Sequence, residues 1–227
     1  MRRSEPEQSR AAVEAPDLRV AELWRYPVKG LRGERLERVE VAGDGIPGDR
    51  CLRVLDERGI VTGRRKQRML GLAATLNGGG EPLVGGHPWR SPEAAEAIRD
   101  VAGTAAKLSR PFGGHEHDAA HILLLSDGSV DQLGYDRRRF RPNIYLEGAD
   151  GPVELGWLGR RVRVGDLVLS VDEPCERCVI TTIDPDTIEV DLDVLKRTNA
   201  ELDGNMGAYC SVVEPAAVTV GDPVELV

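Results

Sequence analysis

The sequence predicts a mainly β protein (α+β), barrel-like, with a few short helices. Glycine and proline are frequent, with 26 and 14 copies among 227 residues, and both favour tight turns between short elements. Apolar residues make up 41% of the chain and aromatic residues only 4%, so aliphatic side chains must build the core. Short apolar stretches alternate with polar residues, which is the pattern of half-buried strands.

The first half of the chain predicts short strands joined by glycine-rich turns. Strands are expected at 18–26, 36–41, 52–55, 60–62 and 69–76, with turns at 29–33 and 56–59 and a loop at 43–50. Ser91 and Pro92 have the residue types of an N-cap and a first helical turn. A helix is therefore predicted from this point to about Val101, ending at Gly103.

The second half carries more strand signals. Strands are expected at 122–125, 143–146, 162–164 and 167–171, and short helices at 129–133 and 191–199. The β-branched run at 179–183 also predicts a strand. Segments 162–169 and 218–226 both place Gly-Asp between alternating apolar residues. They predict two hairpin-like turns and not a repeat protein, which needs at least three units.

Charge and composition exclude several classes of protein. The net charge of −8 argues against a nucleic-acid-binding protein, because such proteins neutralise phosphates. No apolar run is long enough to span a bilayer, and residues 1–17 are expected to form a mobile polar tail. No export signal is recognisable, so a cytoplasmic location is expected. The four cysteines (Cys51, Cys175, Cys178, Cys210) are then thiols or ligands, not a disulfide framework.

Cys175 and Cys178 form a C-x-x-C pair in the segment richest in reactive side chains. The pair could be half of a zinc site, a redox dithiol or two unrelated thiols. Zinc usually requires two such pairs, and a thioredoxin-like dithiol lies between a strand and a helix in an α/β pattern. A fourth interpretation is that one thiolate binds a soft or high-valent metal beside the cation Arg177. The residues alone do not choose the metal.

A second group of metal-ligand residue types lies at 115–121. His117 and His121 would share one face if this segment were helical. However, Gly113 and Gly114 indicate a flexible loop, and no glutamate stands at the spacing of a zinc-protease motif. A zinc-binding or purely structural module using His115, His117 and His121 remains an alternative.

Three blocks of sequence resemble the MOSC family with its N-terminal β-barrel extension. They are YPVKGLRG at 26–33 followed by GDR at 48–50, RFRPNI at 139–144, and CERC at 175–178 followed by TTIDPDT at 181–187. The blocks occur in the family's order and are most similar to the amidoxime-reducing components and their bacterial counterparts. The resemblance implies an N-terminal MOSC-type β subdomain at 18–110 and a MOSC β-barrel-like domain at 111–227.

The resemblance also implies a molybdenum cofactor, Mo-molybdopterin, with Cys178 as the metal ligand. Cys178 and Tyr209 are the implied catalytic residues. The implied cofactor contacts are Lys29, Gly30, Arg50, Arg141, Asn143, Arg177, Cys178 and Tyr209. Arginine and lysine suit an anionic pterin phosphate, and a glycine lets the backbone approach a ligand closely. Cys51 and Cys210 are expected in the core, and residues 137–139 are expected to be a solvated run of charge.

The implied function is reduction of N-hydroxylated or N-oxide small molecules. No cysteine cluster for an iron–sulfur centre is present, so a separate electron-donor protein is expected, without nucleic acid or membrane. The alternative is a sulfur-carrier or cofactor-handling protein that uses Cys178 as a persulfide or transfer thiol. Pyridoxal-phosphate binding is a further label of the family as a whole. The chain departs from the pattern at Glu176 and at 119–121, where relatives commonly carry hydroxyl residues.

Overall fold

A computed structural model describes residues 17–115, 117 and 119–227. The expected tail, apart from Asp17, lies outside these residues, as do Glu116 and Asp118 of the histidine-rich segment.

The first half of the chain is built from short strands and one longer helix. The strands are β1 (Arg19–Arg25), β2 (Glu34–Leu36), β3 (Arg38–Val41), β4 (Arg53–Asp56), β5 (Gly59–Val61), β6 (Ala74–Leu76), β7 (Pro82–Val84), β8 (His87–Pro88) and β9 (Lys107–Ser109). Helix α1 spans Pro92–Ala102, and a 3-10 helix spans Gln67–Gly71.

The second half contains the longest strands. The strands are β10 (Ile122–Ser126), β11 (Ile144–Glu147), β12 (Arg161–Val164), β13 (Leu167–Glu176), β14 (Asn205–Glu214), β15 (Ala216–Thr219) and β16 (Val224–Leu226). The helices are α2 (Asp127–Leu133) and α3 (Asp193–Leu202), with 3-10 helices at Arg137–Phe140, Val153–Trp157 and Val179–Thr182.

One large sheet organises the molecule. Its eight strands lie in the order β16-β12-β13-β14-β10-β11-β1-β2, and all neighbours are antiparallel except β10 and β11. Three smaller sheets are formed by β15-β3, β5-β4-β9 and β6-β7-β8. The predicted mainly β fold class is confirmed. Strands β1 and β2, from the predicted N-terminal subdomain, complete the sheet of the second half of the chain.

The buried hydrophobic side chains form three clusters, two of them mainly aliphatic and a third around Leu133, Phe140 and Met206. The larger covers the eight-stranded sheet and includes Val20, Leu124 and Val171. The smaller lies among the small sheets and α1 and includes the fully buried Leu52 and Ile98. The expected core positions of the remaining two cysteines are confirmed: both are buried, and burial raises the pKa of the Cys51 and Cys210 thiols.

The predicted start and end of helix α1 are confirmed. The Ser91 hydroxyl accepts a hydrogen bond from the Ala94 amide at 3.2 Å, and Pro92 occupies the first turn. Gly103, with φ 109°, ends the helix because few other residues adopt a positive φ without strain. Buried Ile98 packs the helix onto the smaller core.

The predicted strand at 69–76 is wrong in its first part. Residues 67–71 form a 3-10 helix that buries Met69 and Leu70, and strand β6 begins only at Ala74. The Leu72 amide donates to the Met69 carbonyl, which closes the turn locally instead of in a sheet. The predicted strand at 36–41 is likewise divided, because β2 and β3 belong to different sheets.

The predicted strand at 179–183 is a 3-10 helix. The Thr181 and Thr182 hydroxyls donate to the carbonyls of Cys178 and Val179, three residues earlier, at 2.9 and 2.7 Å. These local bonds compete with strand pairing, which the β-branched pattern alone could not reveal.

Only the first of the two predicted Gly-Asp hairpins forms. Gly165 and Asp166 join the antiparallel strands β12 and β13. Gly221 and Asp222 instead join β15, which pairs with β3, to β16, which pairs with β12. This second turn therefore connects two sheets. Within the described ranges, no helix combines the length and apolar character needed to cross a bilayer.

Candidate functional site

A cavity of about 540 Å³ lies where loops of the small sheets meet the large sheet. The predicted site residues that line it are Lys29, Gly30, Arg50, Arg141, Arg177, Cys178 and Tyr209. Lys29 and Gly30 follow β1, Arg50 precedes β4, and Tyr209 lies on β14. The fold thus brings together side chains that are up to 180 residues apart in sequence.

The end of β13 distinguishes the two cysteines. Cys175 is still in the strand and is only 2% exposed, whereas Cys178 lies two residues beyond the strand and is partly exposed. The Cys178 carbonyl accepts hydrogen bonds from the amide and the hydroxyl of Thr181, at 3.1 and 2.9 Å. These bonds fix the backbone at Cys178, and its partly exposed side chain lines the cavity.

Arg177 is held beside Cys178 by two backbone carbonyls. Its Nε donates to the Met206 carbonyl at 2.7 Å and its Nη1 to the Phe140 carbonyl at 2.9 Å. Its Nη2 is buried and has no acceptor within the described part of the chain. A Cβ at Gly207, where φ is 78°, would lie 3.1 Å from this Nη2. Arg177 therefore retains a donor for an acceptor-rich ligand.

Arg50 and Arg141 reach the cavity around one buried ring. Their guanidinium carbons lie 5.1 and 4.2 Å from the centroid of Tyr26, a distance suited to cation–π attraction. The Tyr26 hydroxyl donates to the Pro142 carbonyl at 3.1 Å, and burial raises the pKa of Tyr26, so the ring stays neutral. Arg50 also pairs with the buried carboxylate of Asp49.

Asn143 differs from the other predicted contacts because it lies beneath the cavity wall. The side chain is buried, and its Oδ1 accepts from the Leu123 amide at 3.1 Å and from Arg50 Nη1 at 3.3 Å. Its Nδ2 donates to the Trp24 carbonyl at 3.2 Å. In this position Asn143 contacts Arg50 and does not itself line the cavity.

The expectation of a solvated charge run at 137–139 is wrong. Arg137 pairs with the buried Glu22, and Arg138 pairs with Asp136 and Asp186. The Arg139 side chain is only 9% exposed; it donates to Asp184 at 2.8 Å and to the Thr182 carbonyl at 3.0 Å. Each arginine has a carboxylate partner, so the run is structural.

Sequence reasoning missed several residues of the cavity wall. The additional polar or charged lining residues are Thr62, Arg64, Arg65, Arg139 and Thr181. The wall also includes Cys175 and Glu176, which the sequence singled out without assigning them a cofactor contact. For Arg139, the aspartates at 184 and 186 could have indicated an ion pair, because their charge is opposite to that of the arginine run. The cations at 64 and 65 follow β5 and gave no separate signal.

The three histidines gather beside Asp49. Their ring centroids are 4.6, 5.6 and 5.7 Å apart, and His117 Nδ1 lies 3.8 Å from Asp49 Oδ2. Burial, followed by the charge of Arg50, lowers the pKa of His117 to about 4, so this ring is neutral at pH 7. Among the residues that the structure describes, no three histidine, cysteine or carboxylate side chains are arranged to hold a metal ion. The zinc alternative therefore gains no support from these residues.

Two family models match the chain in consecutive segments. The MOSC N-terminal beta barrel domain matches residues 17–86, and the MOSC domain matches residues 113–225. The chain belongs to the MOSC family. The cavity of this MOSC protein is lined from both matched segments, since Lys29 and Arg50 lie in the first and Cys178 and Tyr209 in the second.

Curated relatives are similar over most of this MOSC chain. Mitochondrial amidoxime-reducing component 1 of Homo sapiens is 25% identical, with 91% of this chain and 82% of the relative covered. The Mus musculus protein of the same name is 26% identical with the same coverage. Among solved structures, the YUAD protein from Bacillus subtilis has a TM-score of 0.46 and 15% identity, covering 92% of this chain and 94% of its own.

Proposed function

We propose that this protein binds Mo-molybdopterin in the cavity and reduces N-hydroxylated or N-oxide compounds, with Cys178 as the protein ligand of the metal. The observation that carries the proposal is the convergence of one accessible thiol with cations from distant segments, Lys29, Arg50 and Arg141. The names of the curated relatives, which describe reduction of amidoximes, support the same class of reaction.

The chemistry of the cavity fits this cofactor. Guanidinium forks and a lysine ammonium suit an anionic phosphate, and the unused Nη2 of Arg177 suits the acceptor atoms of a pterin ring. Gly30 has φ 83°, and a Cβ there would lie 3.2 Å from the Thr62 backbone, so only glycine leaves this wall undisturbed. A volume of about 540 Å³ is ordinary for a site that encloses a small organic molecule.

When bound, the molybdenum centre would supply two-electron chemistry that removes the oxygen of an N–O bond. Overall, an N-hydroxylated substrate, two protons and two electrons give the N–H product and water, with the electrons supplied by a separate donor protein. Cys178 would hold the metal as a soft thiolate ligand. Tyr209, carried on β14 opposite Leu123 of β10, would offer its hydroxyl beside the reacting group.

Three finer expectations accompany this proposal. A sulfur-carrier or cofactor-transfer role would use the same accessible Cys178 thiol and is separated from the reductase by experiment. The cytoplasmic location remains a prediction, and the names of the mammalian relatives assign those proteins to mitochondria. Pyridoxal-phosphate binding, a label of the family as a whole, remains a prediction outside this proposal.

Turnover of benzamidoxime with a reduced donor tests the reaction. Protein from a molybdenum-cofactor-competent host should form benzamidine, Cys178→Ala should form none, and Tyr209→Phe should be slower because the hydroxyl is lost. Arg38→Gln is the control and should match the wild type, because Arg38 is an exposed residue of β3 outside the cavity wall. Labile sulfur on Cys178 in a protein without turnover would contradict the reductase and favour the carrier.

A further inference from the structure

A second, smaller pocket of about 60 Å³ adjoins the cavity. The two share one wall, formed by Leu70, Arg139, Arg141 and Ile180. Ile180 is two residues from Cys178, so a molecule at the thiol could extend over this wall into the smaller pocket. None of the predicted site residues except Arg141 lines the smaller pocket.

The walls of the smaller pocket suit a flat apolar group. The Trp24 and Tyr26 rings are stacked with centroids 6.3 Å apart and planes 15° apart. Leu70, Ile183 and Pro185 add aliphatic surface. Aromatic and aliphatic walls of this kind bind planar ligand fragments, while a few polar groups fix their orientation.

Arg32 is a polar group of this pocket that keeps a hydrogen-bond donor unused among the described residues. Its Nη2 donates to the Pro185 carbonyl at 2.5 Å, and its Nε is buried with no acceptor among the residues described. Arg138 and Arg139, in the same pocket, are already bonded to aspartates. Within the described residues Arg32 forms no ion pair with a carboxylate, although the charge of Asp186 lies near it.

We propose that the smaller pocket is a substrate subsite for a carboxylate carried on a flat ring, with Arg32 as the residue that recognises it. This inference rests on the proposed function and narrows its substrates to N-hydroxylated aryl compounds that bear an acidic group. Arginine binds carboxylates through paired N–H donors, and the Nε is one of those donors. A volume of about 60 Å³ holds roughly four water-sized groups, enough for a carboxylate and the adjoining ring edge.

Titration of the molybdenum-loaded protein with benzoate tests the subsite without turnover. The indole N–H signals of Trp24, Trp89 and Trp157 report binding in a nitrogen-15 NMR spectrum, and Trp24→Phe assigns the first. Benzoate should shift the Trp24 signal only, and its Kd should be about tenfold lower than that of neutral benzamide. Arg32→Gln should remove this preference, whereas Arg38→Gln, exposed on β3, should keep it.

The same variants are then compared in turnover. The ratio of kcat/KM for 4-carboxybenzamidoxime to that for benzamidoxime should exceed one in the wild type and fall to about one in Arg32→Gln. Benzoate that leaves the Trp24 signal unshifted, or an unchanged preference in a folded Arg32→Gln protein, would overturn the subsite and leave the reductase standing. A wild type that contains no molybdenum but still binds benzoate at Trp24 would overturn the proposed function alone.

Discussion

Arg50 and Arg141 enter the cavity from left-handed backbone, with φ 49° and φ 55°. Residues other than glycine seldom adopt this conformation, because the Cβ approaches the carbonyl oxygen. Contacts around Tyr26 hold both guanidinium groups in place. Such strain persists only where contacts with the surrounding structure hold the backbone in place. Here it occurs at two cations of the candidate site.

Paired substitutions at Arg141 isolate the backbone strain from the side-chain contacts. Arg141→Gly and Arg141→Ala lose the same side chain, but only alanine keeps a Cβ in the left-handed region. The glycine variant should therefore be more stable than the alanine variant by about 1 kcal/mol in urea unfolding. The same pair at Arg139, inside a 3-10 helix, is the control and should give the opposite order. Equal stabilities of the two Arg141 variants would show that the backbone at this position is unstrained.

The buried amide of Asn143 is the second feature at this scale. Asn143→Ala leaves the Leu123 amide and the Trp24 carbonyl without their partner, so unfolding free energy should fall by about 1–3 kcal/mol. Cofactor occupancy should fall as well, because Arg50 loses the Oδ1 that positions it. Asn205→Ala, whose amide bonds only locally to the Asp203 carbonyl, is the matched control. A loss at Asn143 no larger than at Asn205 would contradict the positioning role.

At the scale of elements, the strand pattern of the sequence failed where side-chain hydrogen bonds to the backbone determined the local structure. The helix α1 was predictable because Ser91, Pro92 and Gly103 determine its ends through backbone geometry. The segment after Cys178 was not, because its β-branched residues favour a strand while two threonine hydroxyls close 3-10 turns. Hydrophobic periodicity and β propensity reflect the preference of β-branched residues for strands, but not the hydrogen bonds of the threonine hydroxyls.

The loop that carries His117 should make stability depend on pH. The folded pKa of His117 is about 4, below the ordinary value of 6.5, because the ring is buried beside Arg50 and two further histidines. Between pH 6.5 and pH 4 the unfolded chain therefore binds a proton that the folded chain does not. Above pH 6.5 the ring is neutral in both states, and the free energy of unfolding is not reduced. As the pH falls from 6.5 to about 4, the free energy of unfolding decreases by up to about 3 kcal/mol.

Urea unfolding at several pH values between 7 and 4 measures this loss. His117→Gln should flatten the slope of stability against pH in this range, while the exposed His87→Gln should keep the wild-type slope. Identical slopes for His117→Gln and the wild type would contradict a buried neutral ring.

For the whole molecule, the sequence predicted the fold class and a set of residues that line one cavity, but it did not predict the order of the strands. The motifs around Lys29, Arg141 and Cys178 identified residues of one cavity, although nothing local indicates that they meet. Pairing between distant strands, such as β1 with β11 and β3 with β15, depends on packing across the chain. A boundary at 110/111 separates the two family matches, but these strand pairs cross it.

The strand pairs that join residues on both sides of the 110/111 boundary predict that residues 111–227 cannot fold alone. A fragment of residues 111–227 lacks β1 and β3, so β11 keeps only β10 of its two neighbours and β15 loses its partner. It also loses Val20 and Leu23 from the larger core. Its NMR spectrum should be poorly dispersed, whereas that of the full chain should be dispersed. A cooperative thermal transition in the fragment would contradict this interdependence.

The central claim is that Cys178 holds molybdenum, and metal analysis of protein from a cofactor-competent host tests it most directly. The wild type should contain stoichiometric molybdenum and Cys178→Ala almost none, because the substitution removes the accessible thiol that we propose as the ligand. Cys175→Ala is the matched control: Cys175 also borders the cavity but is only 2% exposed, so this variant should retain the metal if Cys178 is the ligand. Absence of molybdenum from the wild type, or undiminished molybdenum in Cys178→Ala, would contradict the claim.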